Sequence, residues 1–375
     1  MMNSTDGLVA TRTGFGTLSP QQVPVLKTIP PGLSLYLDLI RFLAAVSVVL
    51  YHTWDRLFPG SHVKWPGHEA VVIFFVLSGY VITHAASRPG VTLSIYVQHR
   101  AARILPVAIG ALLLAILITP FIPSGTEWAQ SNLSLASLHY WWLTFANLFF
   151  IAQSGGLFVE PPMNYPFWSL NYEVWYYVIF GAWLFTPKRW QLVTTLAAAL
   201  LAGPKILMLF PVWLMGVWLY KKMPRMSLPV ALWVFGATVV VAAALTWLNV
   251  SDILRSRLYA AFSPAWHLHH STQFLYDFLL GIAVSANFTA VAALSGRMAI
   301  LFVLQRPIRY LASFTFSTYV FHVPLKTLAW DVLGLRNPLA FYLFFIIAIF
   351  VLASLTERRT KFYRALLAPR QTPVH

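Results

Sequence analysis

Residues 38–52 read DLIRFLAAVSVVLYH, an apolar stretch that Asp38, Arg41 and His52 interrupt with ionisable side chains. At 100° per residue, Arg41 and His52 return to nearly the same side of a helix, and Asp38 lies one turn before Arg41 on that side. The three side chains therefore form one polar stripe, with roughly 16 Å along the axis between Arg41 and His52. Ionisable residues inside an apolar span usually line a cavity and mark chemistry or a substrate path.

A simpler interpretation fits part of this stripe. Asp38 and Arg41 have the i,i+3 spacing of a helical ion pair, and His52 can lie where a span meets water. For the Asp38–Arg41 pair alone, the two interpretations are equally good. The stripe as a whole favours a cavity, because all three ionisable side chains share one face of the helix.

The composition indicates a membrane protein that crosses the bilayer several times. Of the 375 residues, 58% are hydrophobic and 10% are charged, and the apolar residues come in long runs. Such runs are typical of spanning helices rather than of a soluble domain. The net charge of +15 comes from short basic clusters between the runs, which indicates topology rather than a nucleic-acid-binding face. The chain has no cysteine, which excludes disulfides and thiolate nucleophiles.

The apolar runs predict an all-α, polytopic transmembrane fold with about ten spanning helices. The basic clusters all fall on the cytoplasmic side only if one short aromatic segment, 139–152, does not cross the membrane. We therefore predict a re-entrant or interfacial segment there and place both termini in the cytoplasm. The predicted spans are 33–54, 68–86, 104–122, 167–185, 191–203, 205–220, 229–249, 272–293, 311–330 and 338–356.

The same pattern divides the chain into three parts. Residues 1–30 are polar, contain Gly, Ser, Thr and Pro, and lack the basic start and apolar core of a cleaved signal peptide, which predicts a flexible cytoplasmic tail. Residues 31–357 form the predicted membrane domain, and residues 358–375 form a short basic cytoplasmic tail.

Four motifs follow the polar stripe in order: FFVLSGYVI at 74–82, HRAARILP at 99–106, FWSLNYEVWYY at 167–177 and SFTFSTYVFHVPL at 313–325. Together with the spacing of Asp38, Arg41, Ala44 and His52, they resemble the membrane acyltransferase-3 family over residues 33–356. The resemblance implies a multi-pass O-acyltransferase of the bacterial inner membrane. It would move an acyl group, acetyl by default, from cytoplasmic acyl-CoA to a hydroxyl of a cell-surface or lipid-linked polysaccharide.

The resemblance implies that His52 is catalytic. A neutral imidazole accepts a proton from a sugar hydroxyl as it attacks a thioester, and later protonates the leaving group. Glu173 is predicted on the same side of the membrane, where a carboxylate orients the imidazole or binds the acceptor. Trp168 and Ser169, in the same motif, are predicted to bind the acceptor. An aromatic belt at the headgroup level, with Glu173 simply solvated, stays open as the alternative.

Two arginines precede the third predicted span. A guanidinium group suits phosphate, and the resemblance implies that Arg100 and Arg103 bind the phosphates of CoA. The positive-inside pattern explains the same arginines without any ligand. If CoA binds there, its pantetheine arm must cross part of the membrane to reach His52, and Arg41 would flank that passage. Asp38 is predicted to contact substrate beside it.

Tyr319 and His322 lie in the last motif, inside a predicted span with Pro324 as a kink. Polar side chains at this depth line a cavity, hydrogen-bond the acyl carbonyl or tie helices together. We predict that both contact substrate. The cluster HLHH at 267–270 has no carboxylate or spacing typical of zinc enzymes, so we predict no metal.

Three other functions remain open. A glycan-binding scaffold would need neither Arg100 nor Arg103. A glycan transporter or flippase also places ionisable residues inside its helices. A membrane glycosyltransferase would act on glycans but would be insensitive to acyl-CoA. The predicted partners of the acyltransferase are acyl-CoA, a glycan or glycolipid acceptor and membrane lipid, with no nucleic acid.

Overall fold

The computed structural model describes residues 28–126, 128, 134–261 and 267–368. Within these ranges the regular structure is helical throughout, which confirms the all-α prediction. Nearly all of the predicted tail 1–30 lies outside them. The helices are α1 (Pro31–Leu57), α2 (Gly67–Ala86), α3 (Leu93–Ile118), α4 (Leu138–Leu148), α5 (Trp168–Phe185), α6 (Lys188–Ala202), α7 (Pro204–Lys222), α8 (Leu228–Trp247), α9 (Val250–Ala261), α10 (Phe274–Leu294), α11 (Ala299–Val303), α12 (Gln305–Ala312), α13 (Thr315–Thr327), α14 (Pro338–Leu355) and α15 (Thr360–Leu366).

Six described helices are long and apolar enough to cross a membrane, and counting α6 and α7 as one bent span gives seven. The predicted number of about ten is not confirmed. Helix α5 is 18 residues long, but the polar and aromatic side chains of its first half lower its hydropathy. Helix α13 has only 13 residues before it widens into the π-helical turn Leu328–Val332. The six spans are Pro31–Leu57, Gly67–Ala86, Leu93–Phe121, Leu228–Trp247, Phe274–Arg297 and Pro338–Leu366.

The predicted non-crossing segment at 139–152 corresponds mainly to α4, which has 11 residues. At 1.5 Å per residue this helix is about 16 Å long, well short of the ~30 Å hydrocarbon core of a bilayer. Its length is consistent with a re-entrant or interfacial position.

Helices α6 and α7 are separated by a sharp bend of 120° at Gly203. Gly203 has a φ of +84°, and a Cβ there would lie 2.7 Å from the backbone nitrogen of Gly155. Only glycine fits this combination of positive φ and close approach. The Nζ of Lys205 donates a hydrogen bond to the carbonyl of Leu157, so the start of α7 is tied to the loop that precedes α5.

The outer helices and the central helices differ in burial. Helix α8 buries only Ala231, and α14 buries a single stripe of Phe341, Phe345, Ile349 and Ala353. Because their remaining apolar side chains are exposed or only partly buried, these helices have the composition of lipid-facing spans. Helix α1 lies at the centre, packed against α2, α10, α12 and α13.

Helices α2 and α7 cross at two glycines. A Cβ on Gly79, in the motif FFVLSGYVI, would lie 2.0 Å from the carbonyl oxygen of Trp213. A Cβ on Gly216 would lie 2.0 Å from the carbonyl oxygen of Val76. The two backbones approach this closely because neither crossing residue has a side chain.

Gly79→Ala and Gly216→Ala are each expected to destabilise the protein, by about 1–3 kcal/mol or more, because the added methyl group must push two backbones apart. Thermal unfolding in detergent measures the effect. Gly236→Ala in α8 is the matched control, since nothing lies within 4 Å of its Cβ and alanine has the higher helix propensity. Equal melting temperatures for the three variants would contradict the prediction.

Candidate active site

A cavity of about 90 Å³ lies where α1, α2, α3, α5 and α13 converge. It contains six of the ten residues that the sequence predicts for the site; Asp38, His52, Trp168 and His322 are not in its lining. The cavity is therefore a polar compartment inside an apolar bundle. Its polar lining consists of Arg41, Ser78, Arg100, Arg103, Ser169, Glu173, Tyr177, Thr315 and Tyr319.

Arg41 is fixed from two sides. Its Nη2 donates to Asp38 Oδ1 at 3.1 Å and to the carbonyl oxygen of Ala312 at 3.2 Å. The other carboxylate oxygen of Asp38 accepts from Arg309 Nη1 at 3.1 Å. Asp38 is thus the counter-ion of two arginines. The Nε atom of Arg41 is buried and has no hydrogen-bond partner.

Arg100 and Arg103 both line the cavity from α3. The guanidinium of Arg100 lies over the Tyr177 ring, 5.9 Å from its centroid. Within the part of the chain that the structure describes, neither arginine forms an ion pair at 4.0 Å or less. Because guanidinium groups form charge-assisted, often bidentate hydrogen bonds with phosphate, both side chains can bind an anionic ligand in the cavity.

Glu173 projects from α5 into the same cavity. Its Oε1 accepts a hydrogen bond from Ser78 Oγ at 2.6 Å and another from the Tyr177 hydroxyl. Trp213 Nε1 in turn donates to Ser78 Oγ at 3.2 Å. Among the described residues, these hydrogen bonds do not include His52, so Glu173 does not contact the imidazole that one of its two predicted roles would have it orient.

His52 instead belongs to a second cluster. Its Nδ1 is 2.8 Å from the hydroxyl of Tyr165, which lies in a short 3₁₀ turn directly before α5. Its ring stacks on that of His322, with centroids 5.1 Å apart and an interplanar angle of 23°. The Nζ of Lys326 lies 5.9 Å from the centroid of the Tyr165 ring. Two predicted residues, His52 and His322, therefore meet, together with Tyr165 and Lys326, which were not predicted.

Tyr319 lies between the cavity and the imidazole pair. Its side chain lines the cavity, and its ring centroid is 5.9 Å from that of His322. The Tyr319 hydroxyl is 2.6 Å from Ser169 Oγ and donates to the carbonyl of Pro166 at 3.2 Å. Tyr319 therefore borders the arginine cavity and also lies next to the imidazole pair.

A family model described as "Acyltransferase domain" matches residues 34–358. The chain belongs to the acyltransferase-3 family. Membership assigns it to the acyltransferases that transfer groups other than amino-acyl groups. No solved structure matches the chain.

Three relatives of this acyltransferase bear functional names. The exopolysaccharide production protein ExoZ of Rhizobium meliloti is 31% identical over 148 residues, which cover 38% of this chain and 42% of ExoZ. The peptidoglycan O-acetyltransferase OatA of Listeria monocytogenes is 23% identical over 333 residues, 80% of this chain and 51% of OatA. The acyltransferase MdmB of Streptomyces mycarofaciens is 25% identical over 195 residues, 46% of each chain. The matches span about half the length of these relatives.

The sequence did not predict that Glu357 interacts with residues of the site. Glu357 accepts hydrogen bonds from the backbone N–H groups of Phe316 at 3.3 Å and Ser317 at 2.9 Å, at the start of α13. It also interacts electrostatically with Arg103 and Arg41. A carboxylate at a helix N-terminus is favoured by the helix dipole. The only sequence signal is that Glu357 is the sole acidic residue after the last apolar run.

Glu357→Gln is expected to lower the free energy of unfolding by about 1–2 kcal/mol, because it removes the charge that faces the dipole of α13. Glu357→Ala should cost more, since two buried N–H groups lose their acceptor. Unfolding in detergent measures both. Glu160→Gln is the control: this half-exposed glutamate pairs with His270, and such pairs are worth about 0–1 kcal/mol. A Glu357→Ala variant as stable as the control would exclude the capping role.

Two histidine rings lie parallel to the ring of Trp168. The ring of His270 stacks on it at 4.6 Å, and the ring of His68 lies parallel at 6.3 Å. His68 Nε2 is 2.7 Å from the buried Asp277 carboxylate. Trp168, predicted to bind the acceptor, therefore packs inside an aromatic stack.

The histidines of the HLHH cluster, 267–270, make separate contacts. His269 stacks on Phe158 with centroids 3.6 Å apart, and His270 pairs with Glu160 at 2.9 Å. Burial is the main cause that lowers the pKa of His269, with the charge of Lys205 second. Over the described ranges, no group of three or more His, Asp or Glu residues is arranged to hold a metal ion.

Proposed function

We propose that the chain is a membrane O-acyltransferase that moves an acyl group from acyl-CoA, acetyl-CoA by default, to a hydroxyl of a cell-surface or lipid-linked polysaccharide. The main support is that Tyr319 lines a cavity with three guanidinium groups and also lies next to a pair of stacked imidazoles. Relatives named for peptidoglycan O-acetylation and exopolysaccharide production support a glycan acceptor.

The donor binds in the arginine cavity. Arg100 and Arg103 hold the phosphates of CoA, and Arg41, oriented by Asp38, offers its unpartnered Nε to the arm that follows. Guanidinium groups bind phosphate through charge-assisted, often bidentate hydrogen bonds. The thioester then points toward Tyr319.

The acceptor reacts at the imidazole pair. His52 takes the proton of the attacking hydroxyl, a bond forms between that oxygen and the acyl carbon, and the carbon–sulfur bond breaks. His52 then passes this proton to the thiolate of CoA. Glu173 supports the reaction from the cavity, where it holds Ser78 and Tyr177 in place.

The remaining predicted residues have supporting roles. Ser169 and Tyr319 form the wall between donor and acceptor, and His322 lies next to the reacting carbon. Trp168 positions Ser169 through its packing at the start of α5.

The proposed setting is the bacterial inner membrane. The domain 31–357 spans it several times, and the tails 1–30 and 358–375 lie in the cytoplasm, because the basic clusters then face inward. Acyl-CoA therefore reaches Arg100 and Arg103 from the cytoplasm, and the glycan meets His52 from the outer side. The surrounding lipid is the other partner, and neither metal nor nucleic acid takes part.

Mass spectrometry of cell-surface glycans tests this function directly. Cells with the intact gene should carry glycans heavier by one acyl group than cells without it, and the modified position names the acceptor. Purified protein should form the same ester from acetyl-CoA. Unchanged glycans in the deletion strain, with the protein confirmed in the parent, would exclude the acyltransferase.

A further inference from the structure

The Nε2 atom of His322 is a buried atom without a hydrogen-bond partner. The side chain is 0% exposed, and its Nδ1 bonds to the backbone carbonyl oxygen of Tyr319. A carbonyl only accepts, so Nδ1 carries the proton. In the neutral ring, Nε2 therefore holds an unshared electron pair and cannot donate to an acyl carbonyl.

The neighbouring imidazole does not engage this electron pair. The rings of His52 and His322 are stacked at 23°, and the lone pair of an imidazole nitrogen lies in the plane of its ring. The two rings are thus in face contact and not joined by a hydrogen bond. His52 has its own partner in the Tyr165 hydroxyl. The stack therefore places two imidazoles side by side, and each ring has a separate hydrogen-bond partner.

A buried nitrogen with a free electron pair, a fixed proton on the opposite nitrogen and a second imidazole beside it is suited to nucleophilic catalysis. We propose that His322 carries the acyl group as an acyl-imidazole between donor and acceptor. This inference rests on the proposed function. It separates one transfer into two, the first from the thioester to His322 and the second from His322 to the hydroxyl.

Both steps balance. In the first, Nε2 attacks the thioester carbonyl, a carbon–nitrogen bond forms, the carbon–sulfur bond breaks and CoA leaves as the thiolate. In the second, His52 takes the proton of the acceptor hydroxyl, the oxygen bonds to the acyl carbon and the carbon–nitrogen bond breaks. The proton on His52 finally passes to the thiolate, which restores both neutral imidazoles and gives free CoA.

Tyr319 controls access to this nitrogen. His322 is fully buried, and Tyr319 lines the cavity with its ring centroid 5.9 Å from that of His322, so in this proposal the thioester reaches Nε2 past the Tyr319 ring. The hydrogen bonds of its hydroxyl to Ser169 and Pro166 hold the ring closed. A closed, water-free site protects an acyl-imidazole from hydrolysis.

The experiment incubates the purified full-length protein with acetyl-CoA labelled in the acetyl group, without acceptor. We expect the label on the peptide that contains His322, released by hydroxylamine. His322→Asn should stay unlabelled, although its side-chain amide still offers a donor to the Tyr319 carbonyl. His52→Ala should take up the label and pass it to acceptor about 10²-fold or more slowly than wild type, because only the second step uses this base.

Binding of a non-reactive CoA analogue, desulfo-CoA, shows whether His322→Asn retains its fold. If His322→Asn does not retain its fold, the location of the label in the wild-type protein is by itself the test of the intermediate. Glycan ester formed by wild type from acetyl-CoA without labelled protein, or label on another residue, would overturn the intermediate and leave the proposed function intact. Absence of both label and ester would overturn the proposed function and the intermediate with it.

Discussion

His52→Ala is expected to lower the rate of acyl transfer to glycan by about 10²–10⁴-fold, the range typical of a lost general base. The imidazole is the group next to the reacting carbon that can take the hydroxyl proton and return it. The reason for expecting a large effect is its position: it contacts both His322 and Tyr165 at the end of the path from the arginine cavity. Ester formed on the glycan per unit time is the measurement.

His139→Ala is the matched control for that loss. His139 is exposed in α4 and its ring takes part in none of the contacts of the site, so its replacement should leave the rate unchanged. Equal protein levels and equal melting temperatures make the two variants comparable. A His52→Ala protein that keeps the wild-type rate would refute the assigned base. If glycans still reach the surface while their esters are lost, transport is excluded as the primary function.

The second large effect is expected from the α3 arginines. Arg100→Ala and Arg103→Ala should each weaken CoA binding by about 10–100-fold, because a hydrogen bond between charged groups contributes about 1.5–3 kcal/mol. Arg103→Lys should recover part of the affinity, since lysine keeps the charge but not the planar fork. Titration calorimetry with desulfo-CoA measures the dissociation constants. Affinity should also fall as salt is raised, because the attraction is partly screened.

Arg255→Ala is the control for the arginine variants. Arg255 lies in α9, where it pairs at 2.9 Å with Asp252, and both side chains are exposed. Its loss should leave CoA binding unchanged. If Arg100→Ala and Arg103→Ala behave like this control, the arginines serve topology alone, which is the explanation that their position in a basic cluster also allows.

Helical periodicity and composition predict the features that belong to a single helix. The stripe of Asp38, Arg41 and His52 follows from the helical repeat, and the structure separates it as expected into an arginine end and an imidazole end. The predicted number of about ten spans is not confirmed, because the prediction counted apolar runs without regard to their polar content. Helix α5 shows why: it carries site residues, and these make it less apolar than a span that faces lipid.

Contacts between segments that are far apart in the sequence could not be predicted from periodicity and composition. The sequence placed Glu173 and His52 on the same side of the membrane and left open whether Glu173 orients the imidazole or binds the acceptor, because depth in the membrane does not specify which side chains face each other. Glu173 faces Ser78 and Tyr177 instead. Glu357 contacts Ser317 across 40 residues of sequence, and no local pattern indicates such a pair.

The position of Glu357 has a thermodynamic consequence. The same carboxylate caps α13, the helix that carries His322, and interacts electrostatically with two arginines of the donor cavity. Any anion that draws Arg103 toward itself changes how strongly the first turn of that helix is held. Linkage is reciprocal, so an event that shifts the helix must alter affinity for the anion by the same factor. Affinity for an anion at Arg103 and the stability of the first turn of the helix that carries His322 are therefore coupled.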